Sequence, residues 1–278
     1  MAHYDLPDEA WNIIQPLFPA QPAAPRTRRP WAKHRMIING MFWVLCSGAP
    51  WHDLPERYGP WKTVYNRFNR WSKSGVISII FNRLLYFLDT HGLVDWSAIA
   101  LDRSNIRALR CAASAPKKHA GIAGDNSLGR SRGGFGTKIH LATDGGGLPL
   151  NIVLSPGQAH ESQFAQRLLD GIGVHGSMKR RGYAVLVDKA YSGYALRNEL
   201  KRKRIKGVIP RKSNEKMASD GRSQHDRNAY RNRNVVERCF GRLKEYRRIA
   251  TRYDKTSINY LAMVKLGCIR LFYQRLCY

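Results

Sequence analysis

GTKIHLATDGGGLPLNIVL, residues 136–154, consists of two largely apolar runs separated by one acidic residue and three glycines. Glycine tolerates the positive φ angles that tight reversals need, and an Asp-Gly step between two apolar runs is a hairpin signal. We therefore predict an antiparallel pair of strands, Gly136–Thr143 and Leu148–Leu154, in which Asp144 is a turn residue.

Shorter apolar runs on both sides of this hairpin predict further strands. One lies within Ser97–Ile106, and two more follow the hairpin at Tyr183–Val187 and Gly207–Pro210. Helical periodicity predicts helices in the intervals and after the last strand. These helices are Glu161–Ile172, Gly193–Arg202 and Asp226–Arg248. Three opening strands followed by alternating helices and strands match the ribonuclease H-like layout, an α/β fold with a mixed sheet flanked by helices.

The region before residue 93 predicts helices instead. Pro60 opens a helix with apolar side chains at helical spacing, whereas the basic Lys62, Arg67 and Arg70 fall largely on its other side. The apolar positions are Trp61, Val64, Tyr65, Phe68 and Trp71. Further helices are predicted at Pro7–Phe18, Ile37–Leu45 and Val76–Leu88. We predict a small all-helical, helix-turn-helix-like domain at residues 1–92 that binds DNA; a plain bundle used for dimerisation or support is the alternative.

The composition indicates a polyanionic partner. The 278 residues include 47 Lys and Arg against 20 Asp and Glu, a formal net charge of +27. Each phosphate that a cationic side chain neutralises releases counterions, so nucleic acid is the leading candidate. A ribosomal-type protein would seldom carry seven Trp and 43% hydrophobic residues. A membrane-surface protein would concentrate its basic residues on one amphipathic helix.

Hydropathy and cysteine usage predict a cytoplasmic protein. The longest apolar stretch, Met36–Trp51, is interrupted by polar residues, Gly and Pro and is too short to span a bilayer. The N-terminus lacks the basic and apolar segments of a signal peptide. Five cysteines without a C-x-x-C pair argue against both a disulfide framework and a zinc site.

Three acidic residues stand where the predicted sheet would bring them together. Asp102 ends an apolar run in the first strand, Asp188 ends one in the fourth, and Glu237 lies on the helix after the last strand. Carboxylates held close together need a compensating cation, and their hard oxygens suit Mg²⁺ or Mn²⁺. We predict that these three residues are catalytic and hold two metal ions. Each acid alone would equally suit a turn or a helix cap.

One face of the predicted helix Asp226–Arg248 combines an acid with cations. Its residues are Tyr230, Arg233, Glu237 and Lys244, spaced Y-x2-R-x3-E-x6-K. At about 100° per helical residue they fall within a sector of roughly 60°. The adjacent apolar stripe consists of Val236, Phe240 and Leu243. This pattern suits a metal ligand beside a bound polyphosphate, and a solvated basic face is the alternative.

Two other basic segments predict contacts with phosphates. Arg130-Ser131-Arg132-Gly133-Gly134 joins two guanidiniums to a permissive backbone, although short Arg/Gly runs are also ordinary exposed loops. Residues 201–250 hold 17 Lys or Arg against 5 Asp or Glu. We expect DNA to run along the last helix and the loop Arg211–Arg227, which has too few apolar residues to be well fixed without DNA.

Taken together, these segments resemble the DDE transposases of bacterial insertion sequences, specifically those of the insertion sequence four and five superfamily. The similarity extends over nearly the whole chain. It rests on the Y-x2-R-x3-E-x6-K residues and on Gly59–Phe68, Gly129–Gly134, Thr137–His140, Val187–Tyr191 and Arg248–Lys255. The resemblance implies a ribonuclease H-like DDE catalytic domain at residues 93–278, with Asp102, Asp188 and Glu237 as its triad.

The resemblance also implies an activity. Such an enzyme binds the terminal inverted repeats of its element, cuts the 3′ ends with Mg²⁺ or Mn²⁺ and transfers them to target DNA. We expect a homo-oligomer on double-stranded DNA, at the nucleoid. The expected DNA-binding residues are Tyr230, Arg233, Lys244, Arg130, Arg132, Lys138, Lys62, Arg67 and Arg70. Two alternatives stay open: a ribonuclease H-like nuclease without strand transfer, and a catalytically decayed or domesticated DNA-binding protein.

One position departs from the family pattern. Arg103 directly follows Asp102, where relatives more often carry a small or hydroxylic residue. An arginine side chain beside the carboxylate would perturb metal binding. The short interval between Pro210 and Tyr230 also leaves no room for the β-rich insertion of some relatives.

Overall fold

The computed structural model describes residues 4–20, 32–114, 126–131, 133–160, 163–172, 184–191, 194–210 and 230–277. These residues form two compact units. One comprises the described residues within 1–84, 108–126 and 243–278, and the other those within 85–107 and 127–242. No helix in these ranges is long and apolar enough to cross a bilayer.

The elements alternate between helices and strands after an all-helical start. In chain order they are α1 (Asp8–Ile14), α2 (His34–Ser47), α3 (Trp61–Lys73), α4 (Val76–Thr90), β1 (Ala98–Ala108), α5 (Arg110–Ala113), β2 (Gly129–Ser131), β3 (Gly134–Asp144), β4 (Pro149–Pro156), α6 (Ala165–Asp170), β5 (Ala184–Val187), α7 (Tyr194–Arg202), β6 (Lys206–Val208), α8 (Asn234–Lys244), α9 (Arg247–Ala250), β7 (Thr251–Arg252) and α10 (Ser257–Cys277).

The first unit is a helical bundle, which confirms the predicted N-terminal helices. Gly48 ends α2 with a φ of 71°, in the left-handed region that glycine adopts without strain. The C-terminal helix α10 belongs to the same unit: the Phe272 ring lies 5.0 Å from that of Phe81. Arg270 also donates to the Tyr4 carbonyl oxygen over 2.9 Å. The functional division of the chain at residue 92 stays a prediction.

One prediction about α3, that Arg67 faces outward, is wrong. The aromatic stripe packs inward as predicted, with Val64 and Phe68 fully buried. Arg67 is itself buried, with 8% of its surface exposed, and does not face outward. Its Nη1 atom lies 3.3 Å from His34 Nδ1, and its guanidinium lies over the Trp71 ring. Arginine has a long aliphatic stem and a flat guanidinium that stacks on aromatic rings, so burial here is stabilised by packing.

The second unit contains the predicted mixed sheet. β3 pairs antiparallel with β1 on one edge and with β2 and β4 on the other, and β1, β5 and β6 run parallel. This order, with the β3–β4 hairpin at one side and the parallel strands at the other, is the ribonuclease H-like arrangement. The predicted strands at Ser97–Ile106, Tyr183–Val187 and Gly207–Pro210 are confirmed to within a few residues.

Three local predictions need correction. Residues 129–131 form the strand β2 instead of a loop, because they pair with the part of β3 that β4 leaves open. Helix α6 begins at Ala165, later than predicted. The predicted continuous helix to Arg248 is interrupted: α8 ends at Lys244, and Tyr246 has an extended backbone before α9. The Tyr246 ring is buried, over the Arg270 guanidinium.

Asp144 is the turn residue that the sequence predicted, and its carboxylate organises the hairpin. It is 1% exposed and accepts three backbone hydrogen bonds: from Gly146 (2.9 Å) and Leu148 (2.7 Å) on Oδ1, and from Asp95 (2.8 Å) on Oδ2. Gly147, with a φ of 88°, completes the reversal.

We expect Asp144→Ala to lower the free energy of unfolding by roughly 3–5 kcal/mol, because it leaves buried N–H donors without an acceptor. Asp95→Ala is the matched control, since the exposed Asp95 carboxylate accepts only a short-range bond from Ser97. Urea unfolding of the three proteins measures both effects. Equal losses for the two variants would contradict this role of Asp144.

Candidate active site

Two of the three predicted acids follow adjacent parallel strands. β1 and β5 pair in register as far as Leu101 and Val187, so Asp102 and Asp188 occupy the next position on each strand. There β5 ends, and β1 continues paired with β3. Asp188 begins a short 3₁₀ turn and accepts a hydrogen bond from the Lys189 N–H on Oδ1, at 2.6 Å. The two carboxyl groups therefore stand where the parallel strands part.

Glu237 reaches the same place from α8, through Arg233. The Arg233 Nη1 atom lies 3.2 Å from Asp102 Oδ2, and Nη2 donates to Glu237 Oε1. Arg233 and Asp102 are mostly buried, with 15% and 18% of their side chains exposed, whereas Glu237 is 53% exposed. The buried stripe of α8 that holds this geometry consists of Val236, Phe240 and Leu243, as predicted.

The electrostatics of the four charged groups are coupled. Burial raises the pKa of Asp102, and the nearby charge of Glu237 raises this pKa further. The Arg103 N–H and the Arg233 guanidinium favour the charged carboxylate and lower the pKa, but burial has the larger effect. Burial alone would lower the pKa of Arg233, but the charges of Asp102, Tyr230, Glu237 and Asp188 raise it. Asp188 thus acts on the same guanidinium as the other two acids.

The donor chemistry of this site fits a divalent cation. Three carboxylates supply hard oxygens, and a positive charge already stands between two of them in the form of the Arg233 guanidinium. In the part of the chain that the structure describes, no three His, Cys, Asp or Glu side chains are grouped closely enough to hold an ion. The assignment of a metal site to Asp102, Asp188 and Glu237 therefore remains a prediction.

Arg233 lies in the turn that leads into α8, and Tyr230 lies in a helical segment before that turn, so neither residue belongs to α8 itself. The Arg233 N–H donates to the Tyr230 carbonyl oxygen over 3.0 Å, and the Arg233 guanidinium lies 5.6 Å from the centre of the Tyr230 ring. Burial raises the pKa of the Tyr230 hydroxyl. Lys244 is exposed at the end of α8 and belongs to the helical unit. The predicted continuous helical stripe is thus interrupted by a turn at residues 232–233.

The remaining residues predicted to contact DNA differ in the exposure of their side chains. Lys62, Arg70 and Arg130 have exposed side chains. Lys138 does not: its side chain is buried on β3, and its Nζ donates to the Ala159 carbonyl oxygen over 2.7 Å. The expectation of an accessible Lys138 is therefore wrong, because β3 is buried on both faces from Gly136 to Asp144. Arg132 and the loop Arg211–Arg227 lie outside the described residues.

Arg103 does not stand beside the Asp102 carboxylate. Successive residues of a strand point to opposite faces of a sheet, and Arg103 pairs with His140 on β3 whereas Asp102 pairs with Leu141. Its Nη1 donates to Asn105 Oδ1 over 3.3 Å, and its charge acts on His140. The arginine at position 103 therefore does not alter the face of β1 that carries Asp102.

The sequence reasoning missed the contacts that Arg233 makes within the protein. It assigned Arg233 to DNA phosphates, whereas in the structure the guanidinium bridges Asp102 and Glu237. The i,i+4 spacing of Arg233 and Glu237 was the available signal, since such pairs meet on one side of a helix. Nothing in the local spacing indicated Asp102 as the second partner.

Comparison with protein families gives two matches that together cover most of the chain. The family described as "Putative transposase of IS4/5 family" matches residues 6–81. The family described as "Transposase DDE domain" matches residues 86–272.

Individual relatives agree with these matches. The "Putative transposase for insertion sequence element IS6501" of Brucella ovis is 33% identical over 136 residues, 49% of this chain and 97% of that protein. The "Insertion element IS402 uncharacterized 16.2 kDa protein" of Burkholderia cepacia is 33% identical over 114 residues, 39% of this chain and 77% of that protein.

Among solved structures, the Mos1 strand transfer complex is similar at a TM-score of 0.29 and 12% identity, over 94% of this chain and 81% of that chain. So low a score does not establish a shared fold, and the fold of this chain rests on its own strand order.

Proposed function

The chain belongs to the family of transposases with a DDE domain, and from this premise we propose that it binds the inverted repeats of its own insertion sequence, cuts their 3′ ends and joins them to target DNA. The observation that carries this proposal is that the Arg233 guanidinium pairs with both Asp102 and Glu237, while Asp102 and Asp188 take matching positions just beyond the paired part of β1 and β5. Carboxylates at these positions in a chain of net charge +27 suit a cation-dependent reaction on a polyanion.

Asp102, Asp188 and Glu237 are the residues that would hold Mg²⁺ or Mn²⁺, and we propose two ions. When bound, such ions activate a water or a 3′-hydroxyl for attack at phosphorus and stabilise the leaving oxygen. Asp102 and Asp188 are fixed by the parallel strands that precede them, which supports a rigid pair of ligands. Glu237 is more exposed and sits on a helix, which suits a ligand that completes the site when DNA is present.

Arg233 would change partners during the reaction. In the free protein its guanidinium neutralises Asp102 and Glu237. With Asp102 and Glu237 engaged in holding a cation, the Arg233 guanidinium would be available to a phosphate of the scissile strand, where its fork geometry suits bidentate contact. Tyr230, whose ring lies against the same guanidinium, would stack on or donate to the DNA beside it.

The rest of the DNA would be held by exposed cations. The exposed side chains of Lys62 and Arg70 on α3, Arg130 on β2 and Lys244 at the end of α8 are accessible to phosphates. We propose double-stranded DNA as the partner, a homo-oligomer that holds two ends, and a location at the nucleoid in the bacterial cytoplasm.

The decisive experiment incubates the purified protein with a labelled end fragment and Mg²⁺ or Mn²⁺ and maps the products. Nicks at the 3′ ends of the repeat together with strand-transfer products support a transposase. Nicks without joining would indicate a nuclease of the same fold. Binding to the end with no metal-dependent nick would indicate a decayed DNA-binding protein.

We expect Arg233→Ala to slow cleavage of end DNA by roughly 100-fold, the scale of losing one charged contact to the reacting group, with at most a small loss of binding. The matched control is Arg238→Ala on the same helix, because the Arg238 side chain is exposed and donates to Asn234 instead of the acids. Gel-based cleavage rates and affinities in EDTA separate the two effects. Equal rates for the two variants would remove Arg233 from the reaction.

A further inference from the structure

A buried polar network lies under the turn that follows Asp188. His140 on β3 is fully buried, and its ring nitrogens face two hydroxyl groups. Nε2 lies 2.7 Å from Ser155 Oγ on β4, and Nδ1 lies 3.3 Å from the Tyr191 hydroxyl. The imidazole also stacks on the Phe164 ring at 4.5 Å. The network thus connects the β3–β4 hairpin to the chain that leaves β5.

The other contacts of Ser155 and His140 determine which group donates in each hydrogen bond of the network. The Ser155 hydroxyl can donate to the Pro156 carbonyl oxygen, at 3.4 Å, which leaves its oxygen to accept from His140 Nε2–H. Nδ1 is then the acceptor for the Tyr191 hydroxyl. Burial lowers the pKa of His140 to about 3, assisted by the charges of Lys138, Arg103 and Arg167, so the ring is neutral at any working pH. A neutral ring keeps one nitrogen as donor and the other as acceptor.

Tyr191 is the buried anchor of the turn that carries Asp188. In the 3₁₀ turn Lys189–Tyr191, the Tyr191 side chain is fully buried, whereas Lys189 is exposed. The Tyr191 N–H donates back to the Asp188 carbonyl oxygen over 2.9 Å. The backbone of Asp188 is therefore held between the end of β5 and a side chain that is itself fixed to β3.

We propose that His140 and Tyr191 are positioning residues that fix the Asp188 carboxylate for cation binding, with Ser155 orienting the imidazole. The inference rests on the proposed function of Asp188. Tyr191 meets Asp188 through its backbone N–H, and by the pairing register His140 lies on the face of the sheet opposite to Asp102. Their effect is transmitted through the backbone of one short turn, in which a small displacement of the ligand weakens an ion site.

The test uses Tyr191→Phe, which keeps the buried ring and removes only the hydroxyl. Mn²⁺ alone is the probe, and its affinity for the full-length protein is measured by electron paramagnetic resonance without DNA. We expect the affinity to fall by roughly 3- to 10-fold, the range that one lost buried hydrogen bond gives, while DNA affinity in EDTA is unchanged. Ser155→Ala should weaken Mn²⁺ binding in the same direction, although Ser155 lies on a strand that does not pair with β5.

Tyr260→Phe is the matched control. Tyr260 is also fully buried and donates its hydroxyl to the Ile249 carbonyl oxygen over 2.7 Å, but it belongs to the helical unit. We expect this variant to lose stability and keep the wild-type affinity for Mn²⁺. An equal fall in Tyr260→Phe, or unchanged affinity in both Tyr191→Phe and Ser155→Ala, would overturn the proposal.

Different results would contradict the proposed function and the positioning role of His140 and Tyr191. If wild-type protein binds Mn²⁺ but neither nicks nor joins end DNA, the proposed function is wrong and the positioning of Asp188 can still be read from the Mn²⁺ affinities. If wild-type protein cuts DNA and Tyr191→Phe binds Mn²⁺ as tightly, only the positioning role is wrong. If wild-type protein binds no Mn²⁺, the positioning proposal is overturned as well.

Discussion

Replacing Asp102 with asparagine is expected to slow cleavage of the 3′ ends by about 1,000-fold or more, since the cations that we propose at this site would supply several kcal/mol and each 1.36 kcal/mol is a factor of ten. Asparagine keeps the size of the side chain and removes its charge. The carboxylate is mostly buried beside Arg233, at the position on β1 where the pairing with β5 ends. Affinity for end DNA in EDTA should stay close to that of the wild type, because a basic surface elsewhere provides it.

The control for this prediction is Asp170→Asn in the same unit. Asp170 is an exposed acid on α6 that pairs with Lys203 over 3.1 Å and does not face the site. Single-turnover cleavage in Mg²⁺ and in Mn²⁺ gives the rates. A rate for Asp102→Asn within a factor of a few of the wild type would remove Asp102 from the triad, and loss of DNA binding in EDTA would indicate a structural role instead.

The second large expected effect is the loss of DNA affinity as the salt concentration rises. A chain with a net charge of +27 should bind DNA largely through phosphates. If it contacts roughly 6–10 phosphates, its affinity should fall by roughly 10³–10⁵ between about 50 and 200 mM salt, because the released counterions must be recaptured. Fluorescence anisotropy with a fixed end fragment, measured at several salt concentrations in EDTA, gives the slope of log affinity against log salt.

Two arginines of the same helix sharpen this test. Arg70 is exposed on α3, and Arg70→Ala should reduce the salt slope by about one if it contacts a phosphate. Arg67 is buried beside His34 and Trp71, so Arg67→Ala should lower stability and leave the slope unchanged. A wild-type slope corresponding to only one or two phosphates would contradict an extended DNA-binding surface.

Much of the fold, and the choice of Asp102, Asp188 and Glu237 as candidate acids, could be derived from the sequence, because both depend on local patterns. Apolar runs of strand length with a D-G-G-G turn predicted the β3–β4 hairpin, and the alternation after it predicted the parallel strands. The end of an apolar run indicated both Asp102 and Asp188, although only β5 ends there and β1 continues to Ala108. Helical spacing likewise located the buried stripe of α8 and the aromatic face of α3.

The sequence by itself determined the hairpin, the succession of the main strands along the chain and the positions of the three candidate acids Asp102, Asp188 and Glu237. Only the tertiary structure decided which charged side chains are buried and what they contact. Arg67 and Lys138 are buried, although their spacing resembled that of exposed cations, and Arg233 bridges Asp102 and Glu237. His140, Ser155 and Tyr191 also meet only in the folded sheet. The physical reason is that periodicity fixes the face on which a side chain lies, whereas its partner comes from strands and helices distant in sequence, and burial of a charge is decided by that partner.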